Sequence, residues 1–403
     1  MRRFVGLAAL AAVLACGGAN AQQVNVKIGV LSDMSSLYAD IGGPGSVAAA
    51  KMAIADFTKD HPNVKVDLIS GDHQNKPDIG TQIANQWYDV DKVDMIIDVP
   101  NSGVALATSQ VASSKNKVFI VSGAAASDIT GPKCNANTIH WTYDTWMLAN
   151  GTGTAIVKTG GDSWFFLTSD YAFGHALERD TMAVVEKNGG KVLGKVRHPI
   201  NTNDFSSFLL QAQSSKAKVI GLANAGGDTI NSIKQAAEFG IVKGGQSLAG
   251  LLVFATDVNA LGLQTAQGLV LTETFYWDLN DDTRAWTKRW HAERKADDKV
   301  PTMNQAGVYA GTLHYLKAVA VLKSAADGKA VVAQMKKMPT DDETFGKGTI
   351  RPDGRVLHPA YLFEVKKPEE SKYFGDFYKT IATIPADQAF RPLKEGGCPL
   401  VSG

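Results

Sequence analysis

Short apolar, β-branched runs alternate with helical patterns along most of this chain, and the alternation occurs twice. Four strand candidates precede about Trp141, and four more follow about Asp162. Each run is continuous enough to be buried on both faces, as parallel strands covered by helices are. Strand–helix–strand units of this kind are connected by right-handed crossovers. The pattern therefore predicts an α/β protein with two doubly wound, Rossmann-like lobes.

The predicted elements are short and evenly spaced. The strand candidates are residues 27–31, 64–69, 95–99 and 118–121 in the first half, and 164–168, 191–196, 219–223 and 251–254 in the second. The helical patterns between them cover residues 46–57, 78–88, 104–114, 145–158, 173–187, 205–213 and 229–239. Similar element lengths in the two halves favour two lobes over one large sheet.

The last third of the chain has too few strands to form a domain of its own. It contains helical patterns at 282–297, 305–324 and 329–338 and one strand-like run at 361–365. These elements are expected to complete the two lobes, so the chain must cross between them more than once. No Pro- or Ser-rich linker interrupts the sequence, which favours a hinge over a loose tether. The predicted first lobe is 22–143 with about 275–345, and the second is 144–274 with about 346–403.

The composition is that of a globular protein and argues against nucleic-acid binding. The chain has 403 residues, of which 44% are hydrophobic and 20% charged, with a formal net charge of +1. This balance excludes a disordered chain. No dense Lys/Arg stripe with interleaved aromatic residues is present, so a phosphate-binding surface has no support.

The first residues have the pattern of a secretory signal. Two arginines precede the apolar stretch 4–16, which is too short to span a bilayer, and a small-x-small motif ends at Ala21. We expect cleavage after residue 21 and a periplasmic protein. The alternative is a lipoprotein signal with Cys16 acylated, although Leu14 is bulky where such signals prefer a small residue.

Two cysteines, Cys134 and Cys398, would remain in the exported chain. In an oxidising compartment such a pair more often forms a disulfide than a metal or catalytic site. We therefore expect a bridge that ties the C-terminal segment to the middle of the chain. The alternative is two unpaired, buried thiols.

Loops that follow predicted strands are candidate binding loops, because open parallel sheets bind ligands at their carboxyl edge. In the first lobe these loops are small, hydroxyl-bearing and mostly uncharged, which suits an anionic group near a helix N-terminus. In the second lobe they carry Tyr171, Phe173, Asn224, Gly226 and Asp257. For each residue an ordinary structural role stays open: the aromatic rings as core, and Asp257 as a helix cap.

Enzyme and cofactor motifs are not found in the sequence. It contains no G-x-S-x-G elbow, no P-loop, no H-E-x-x-H and no Cys/His cluster with metal-ligand spacing. We therefore expect a binding protein without a metal or cofactor. An α/β enzyme is kept as the less favoured alternative.

Five segments that follow the secretory signal are informative together: residues 27–35, 53–57, 121–125, 170–174 and 233–240. Their order and spacing resemble the Leu/Ile/Val-binding-protein family. Members of this family are periplasmic solute-binding components of ABC importers with the type I fold. The resemblance implies two lobes joined by three crossing segments, with the ligand in the cleft between them. It also implies an inner-membrane permease and its ATPase as partners, and we expect a monomer.

The resemblance, with the loops above, gives a candidate ligand-binding set. First-lobe hydroxyls and backbone amides of the family hold a carboxylate, and the second lobe supplies an acidic residue and aromatic hydroxyls for an ammonium group. The corresponding positions here are Tyr38, Asn101, Ser102, Ser122, Gly123, Ala124 and Ala125 in the first lobe, and Tyr171, Phe173, Asn224, Gly226 and Asp257 in the second.

The chain departs from that pattern at several positions. Ala126, Phe173 and the pair Gly226-Gly227 stand where family members tend to carry hydroxyl-bearing side chains. A buried ammonium without partners is costly. We therefore expect a small carboxylate or amide ligand with an apolar body, either a hydrophobic or branched-chain amino acid or an aromatic acid. A ligand-sensing receptor module, with an amide- or urea-like ligand, is the alternative.

Overall fold

The computed structural model describes residues 23–296 and 298–401, so the predicted secretory signal lies outside the described residues. The first lobe is built on five parallel strands with the order β2-β1-β3-β4-β5. Its elements are β1 (Val24–Ser32), α1 (Gly43–Asp60), β2 (Val64–Asp72), α2 (Pro77–Asp89), β3 (Met95–Asp98), α3 (Ser102–Ser114), β4 (Val118–Val121) and β5 (Thr138–His140). All of β3 and β4 is buried, as expected for strands covered on both faces.

The second lobe contains a parallel sheet of four strands in the order β7-β6-β8-β9. The chain enters it through α4 (Thr145–Leu148), a π-helical turn (Ala149–Gly153) and α5 (Thr154–Lys158). There follow β6 (Ser163–Ser169), α6 (Ala172–Lys187), β7 (Lys191–His198), α7 (Ser206–Ser214), β8 (Val219–Ala223), α8 (Gly227–Glu238) and β9 (Ser247–Gly250). The two parallel sheets confirm the predicted fold class.

The remaining elements lie between residues 255 and 389. They are α9 (Ala255–Leu261), α10 (Leu263–Ala266), β10 (Val270–Glu273), α11 (Asp281–Arg294), α12 (Met303–Leu322), α13 (Gly328–Lys337), β11 (Thr340–Asp342), β12 (Gly346–Ile350), β13 (Val356–Leu357), β14 (Ala360–Val365), β15 (Tyr378–Ile384) and α14 (Ala386–Ala389). Helices α11 and α12 pack on α1 in the first lobe. Strands β10, β14 and β15 form an antiparallel sheet beside β9. The lobe boundaries given above stay a prediction.

Three kinds of sequence-based assignment differ from the structure. The strand expected at 251–254 is instead Ser247–Gly250, and the apolar run that follows it is buried loop leading into α9. The antiparallel strands of the last third were mostly missed, because they are short and half exposed, so their sequence lacks a buried-strand pattern. Helix starts were misplaced by a few residues, as at Gly43 and Met303.

A disulfide joins Cys134 to Cys398, with their Cα atoms 5.6 Å apart and 264 positions between them in sequence. It fixes the C-terminal segment to the loop between β4 and β5. The predicted bridge is therefore present. Over residues 23–296 and 298–401, every helix is too short or too polar to cross a bilayer.

Candidate ligand site between the lobes

A small cavity, with about 10 Å³ of free space, lies where loops of the two lobes meet. Both lobes contribute to its wall, which consists of aromatic rings, aliphatic side chains and small residues and includes no charged side chain. The lining residues are Tyr38, Ile41, Pro100, Gly123, Ala125, Tyr143, Tyr171, Phe173, Ala225, Leu252 and Phe254. An enclosed apolar space with a few polar groups is the usual form of a small-molecule site.

The two lobes meet at a pair of tyrosines in the wall of the cavity. Tyr38, in the loop between β1 and α1, places its hydroxyl 2.7 Å from that of Tyr171, which precedes α6. Burial raises the pKa of both phenols, so both are protonated at neutral pH. One hydrogen is used within the pair, and among the described residues the other has no acceptor. This hydrogen is available to a ligand.

A glycine of the second lobe lies close to the first-lobe loop that carries Tyr38. Gly226 has φ +55°, and a Cβ atom there would lie 2.8 Å from the Leu37 carbonyl oxygen and 3.1 Å from Tyr38 Cδ1. At Gly227 a Cβ atom would lie 2.8 Å from Leu37 Cδ1. Atoms of Leu37 therefore occupy the space beside Gly226 and Gly227, where other residues would have side chains, so this space is not open to a ligand.

Polar side chains of the first-lobe loops form hydrogen bonds with backbone amides near the cavity. The Asn101 side chain caps α3 by accepting from the amides of Gly103 and Val104 at 2.9 and 3.1 Å. The Ser102 hydroxyl accepts from the amides of Ala125 and Ala126, both at 3.2 Å. Asn101 therefore fixes the start of α3, and Ser102 fixes the loop that carries Ala125.

Asp98, a buried residue at the end of β3, forms hydrogen bonds with the loop that follows β4. Asp98 and Val99 have φ values of +92° and +58°, which non-glycine residues rarely adopt. This bend lets the Asp98 carbonyl accept from the amides of Ser122 and Gly123, both at 3.3 Å. Burial raises the pKa of the Asp98 carboxyl to about 6, although hydrogen bonds from neighbours including Ser32 oppose the rise. Ser122 and Gly123 are thus both held by Asp98, and of the two only Gly123 lines the cavity.

The acidic residues of the second lobe lie behind the cavity wall. Asp257 accepts the Phe254 amide at 2.9 Å and so caps α9, and burial raises its pKa to about 7. Glu273 accepts the Tyr378 hydroxyl at 2.9 Å, and burial raises its pKa well above the usual range. The observed contact of Asp257 is thus the one expected for a helix cap. The wall itself presents no carboxylate to an ammonium group.

Five of the predicted site residues line the cavity: Tyr38, Gly123, Ala125, Tyr171 and Phe173. The other seven lie around it, at Asn101, Ser102, Ser122, Ala124, Asn224, Gly226 and Asp257. Asn224 accepts the Thr229 hydroxyl at 2.8 Å within the second lobe, and the Ala124 carbonyl lies 2.7 Å from His140 Nε2. That any of the twelve contacts a ligand stays a prediction.

Sequence reasoning missed six lining residues. They are Ile41, Pro100, Tyr143, Ala225, Leu252 and Phe254. Most are apolar, so the pattern that marks them is the same as for core residues. Their position in the chain was the usable signal for two of them, because Pro100 and Ala225 come two residues after the ends of strands β3 and β8. Across the described part of the chain, no cluster of His, Cys, Asp and Glu side chains is arranged to bind a metal ion.

Comparisons with known proteins agree with this geometry. A family described as "Periplasmic binding protein" matches residues 25–371. The Leu/Ile/Val-binding protein homolog 6 of Brucella melitensis biotype 1 is 24% identical over 362 residues, covering 88% of this chain and 91% of the relative.

Solved structures are similar over nearly the whole chain. A periplasmic binding protein of Burkholderia mallei is 52% identical with a TM-score of 0.90, covering 94% of this chain and 99% of that one. A branched chain amino acid ABC transporter periplasmic ligand-binding protein of Burkholderia xenovorans LB400 is 41% identical with a TM-score of 0.82, covering 93% and 99%. A solute binding protein of R. palustris in complex with benzoate, 21% identical with a TM-score of 0.80, covers 93% and 99% and shares the fold. The chain therefore belongs to the Leu/Ile/Val-binding-protein family of periplasmic binding proteins of ABC transporters.

Proposed function

We propose that this protein captures a small carboxylate-bearing ligand with an apolar body for an ABC importer, in the cavity between its lobes. The observation that carries the proposal is the Tyr38–Tyr171 contact, which joins the two lobes across an apolar cavity and leaves one phenolic hydrogen for a ligand. A carboxylate oxygen is a strong acceptor for such a hydrogen.

The wall of the cavity supports an apolar ligand body. Phe173, Phe254 and the ring of Tyr143 offer aromatic surface, and Ile41 and Leu252 offer aliphatic surface. Burying apolar ligand surface contributes about 25 cal/mol per Å² before the costs of association.

Two ligand classes are supported, each by a relative. The B. xenovorans protein is named for branched-chain amino acids, and the R. palustris protein was solved with benzoate. The wall lacks a carboxylate, which disfavours an ammonium group and so favours an aromatic acid. Both classes belong in the first binding experiment.

Ligand capture follows from closure of the lobes. A ligand that contacts both lobes binds the closed form better than the open form, so it shifts the population toward closure. The permease then recognises the closed form. We further infer export through the N-terminal segment, for which the mass of the mature periplasmic protein is the measurement.

Calorimetry tests the ligand class directly. Protein stripped of bound molecules is titrated with leucine, valine, phenylalanine, benzoate and 4-hydroxybenzoate, and with glucose and spermidine as unrelated compounds. We expect micromolar or tighter binding of at least one carboxylate. Tyr171→Phe should weaken that binding, whereas Tyr373→Phe, at a half-exposed tyrosine outside the cavity, should not. Binding of only the sugar or the polyamine would contradict the proposal.

A further inference from the structure

The loop that carries Tyr38 is fixed by a helix from a distant part of the sequence. Three consecutive carbonyls of the loop accept hydrogen bonds from the first turn of α12. Gln305 Nε2 donates to the carbonyls of Asp40 and Gly42 at 3.2 and 3.0 Å. The hydroxyl of Thr302 donates to the Ile41 carbonyl at 2.7 Å. More than 250 residues therefore separate the loop from the side chains that fix it.

The Gln305 carboxamide uses all of its hydrogen-bonding groups in this arrangement. Its two N–H groups donate to the loop, and its Oε1 accepts from the Thr302 amide at 3.1 Å as part of the helix cap. The side chain is buried. No isosteric side chain can make both the two donations and the one acceptance.

The same loop makes the contacts that close the cleft. Tyr38 meets Tyr171, Leu37 packs against Gly226, and Ile41 lines the cavity. Displacing the loop by a fraction of an ångström would disturb all three. The position of the loop therefore determines how well the closed lobes fit.

We propose that Gln305 is a positioning residue for ligand binding: it sets the loop so that Tyr38 meets Tyr171 when the lobes close. The inference rests on the proposed function, because it concerns the same cavity. Gln305 itself does not line the cavity, so its effect must pass through the loop.

Gln305→Glu is the sharpest variant, because it keeps the shape and the acceptor for the Thr302 amide but removes both donors. Thr302→Val is a second variant, which removes the donation to Ile41. For each, hydrogen exchange of the segment 37–43 is measured without ligand, and affinity is measured for benzoate and leucine. We expect faster exchange in this segment and about tenfold weaker binding of whichever probe the wild type binds.

A double-mutant cycle with Tyr38→Phe separates positioning from a general loss of stability. If Gln305 acts through Tyr38, the double variant loses less affinity than the product of the two single losses. Asn280→Ala is the matched control, since it removes the cap of α11 and should lower the Tm without changing affinity or exchange at 37–43.

The outcomes distinguish this inference from the ligand class. Multiplicative losses in the cycle, or unchanged exchange at 37–43 in both variants, would overturn the positioning role. If the wild type binds none of the five carboxylates of the calorimetric screen, the proposed ligand class fails, and the exchange measurement alone decides whether Gln305 positions the loop.

Discussion

The Ser127 hydroxyl donates to a carboxylate oxygen of Asp180 at 2.6 Å, and this hydrogen bond joins the loop after β4 to helix α6 of the other lobe. The same oxygen accepts the Thr145 hydroxyl at 2.6 Å. Beside it, Arg179 forms an ion pair with Asp128 of the first lobe at 3.1 Å. The contacts to Ser127 and Asp128 join the two lobes, so under the proposed function we expect Asp180 to stabilise the closed form.

Replacing Asp180 should therefore weaken ligand binding. Hydrogen bonds to a charged group contribute about 1.5–3 kcal/mol, so Asp180→Ala is expected to raise the Kd of the cleft ligand by about 10- to 100-fold. Calorimetry with the best probe measures the change. Glu186→Ala, an exposed acidic position on the same helix, is the control and should leave the Kd unchanged. Equal Kd values for Asp180→Ala and wild type would show that the closed form does not depend on this contact.

The close approach at Gly226 gives a second prediction. Gly226→Ala should both strain the backbone and push against the Leu37 carbonyl, whereas Gly240→Ala shares the positive φ, at +66°, but has nothing within 4 Å of the new methyl group. Both variants should lose about 1 kcal/mol of unfolding free energy. Only Gly226→Ala should also weaken ligand binding, because its clash exists only in the closed form. Similar affinities for the two variants would contradict this reading.

The inner strands β1, β3, β4, β6 and β8 were predictable because their burial makes each one a largely apolar run. The short strand β5 was missed and β9 was misplaced, and the edge strands β2 and β7 are partly exposed and not buried on both faces as expected. The position of the cavity between the lobes was predictable, but most of the residues that line it were not. Some lining residues have the sequence pattern of core residues, namely Ile41, Leu252 and Phe254. They line a cavity only because the two lobes meet there. Ser102 and Ser122 look like ligand-binding hydroxyls in sequence. In the structure the Ser102 hydroxyl accepts from the amides of Ala125 and Ala126, and the Ser122 hydroxyl donates to the Asp98 carboxyl group, contacts that local patterns did not predict. Such roles depend on the relative position of distant segments, which local patterns do not encode.

Asp257 should make stability depend on pH. Burial raises its pKa to about 7, against a usual value near 4. Between these values the folded protein binds more protons than the unfolded chain, so this group lowers the unfolding free energy as pH rises from about 4 to 7. The slope for one proton is at most about 1.4 kcal/mol per pH unit.

Asp257→Asn tests this, because its side-chain oxygen can still accept the Phe254 amide. Urea unfolding is measured from pH 4 to 7 for both proteins, and the variant should gain stability relative to wild type as pH rises. The comparison is needed because buried histidines act in the opposite sense: burial lowers the pKa of His73 and His358 to about 4, which costs stability at acid pH. Parallel curves would refute a raised pKa at Asp257.

The disulfide should stabilise the fold without affecting the cavity. Closing a loop of more than 250 residues is worth roughly 5 kcal/mol in the chain-entropy model, and often less in practice. The double variant Cys134→Ala/Cys398→Ala should therefore unfold at a lower temperature and bind the cleft ligand with unchanged affinity. Differential scanning calorimetry and ligand titration measure the two effects. A changed Kd with an unchanged Tm would show that the bridge acts on the cleft and not on the fold.

Arg355 and Asp144 form a buried ion pair at the segment where the chain first passes between the lobes. The Arg355 Nη1 lies 3.5 Å from Asp144 Oδ2 and donates to the Tyr143 carbonyl at 3.3 Å. The guanidinium also lies over the ring of Phe390, at 4.6 Å from its centroid. Burial lowers the pKa of Arg355 to about 10 and raises the pKa of Asp144, so desolvation opposes the attraction between them.

Breaking this pair from one side should cost more than removing both charges. Arg355→Met leaves the Asp144 carboxylate buried without its partner, and about 3–5 kcal/mol of unfolding free energy should be lost. Adding Asp144→Asn, which can still cap α4 through the Met147 amide, should recover much of the loss because no buried charge remains. Urea unfolding of the two single variants and the double variant measures the coupling. Additive losses would mean that the two side chains stabilise the crossing segment independently, through packing and capping, and not as an ion pair.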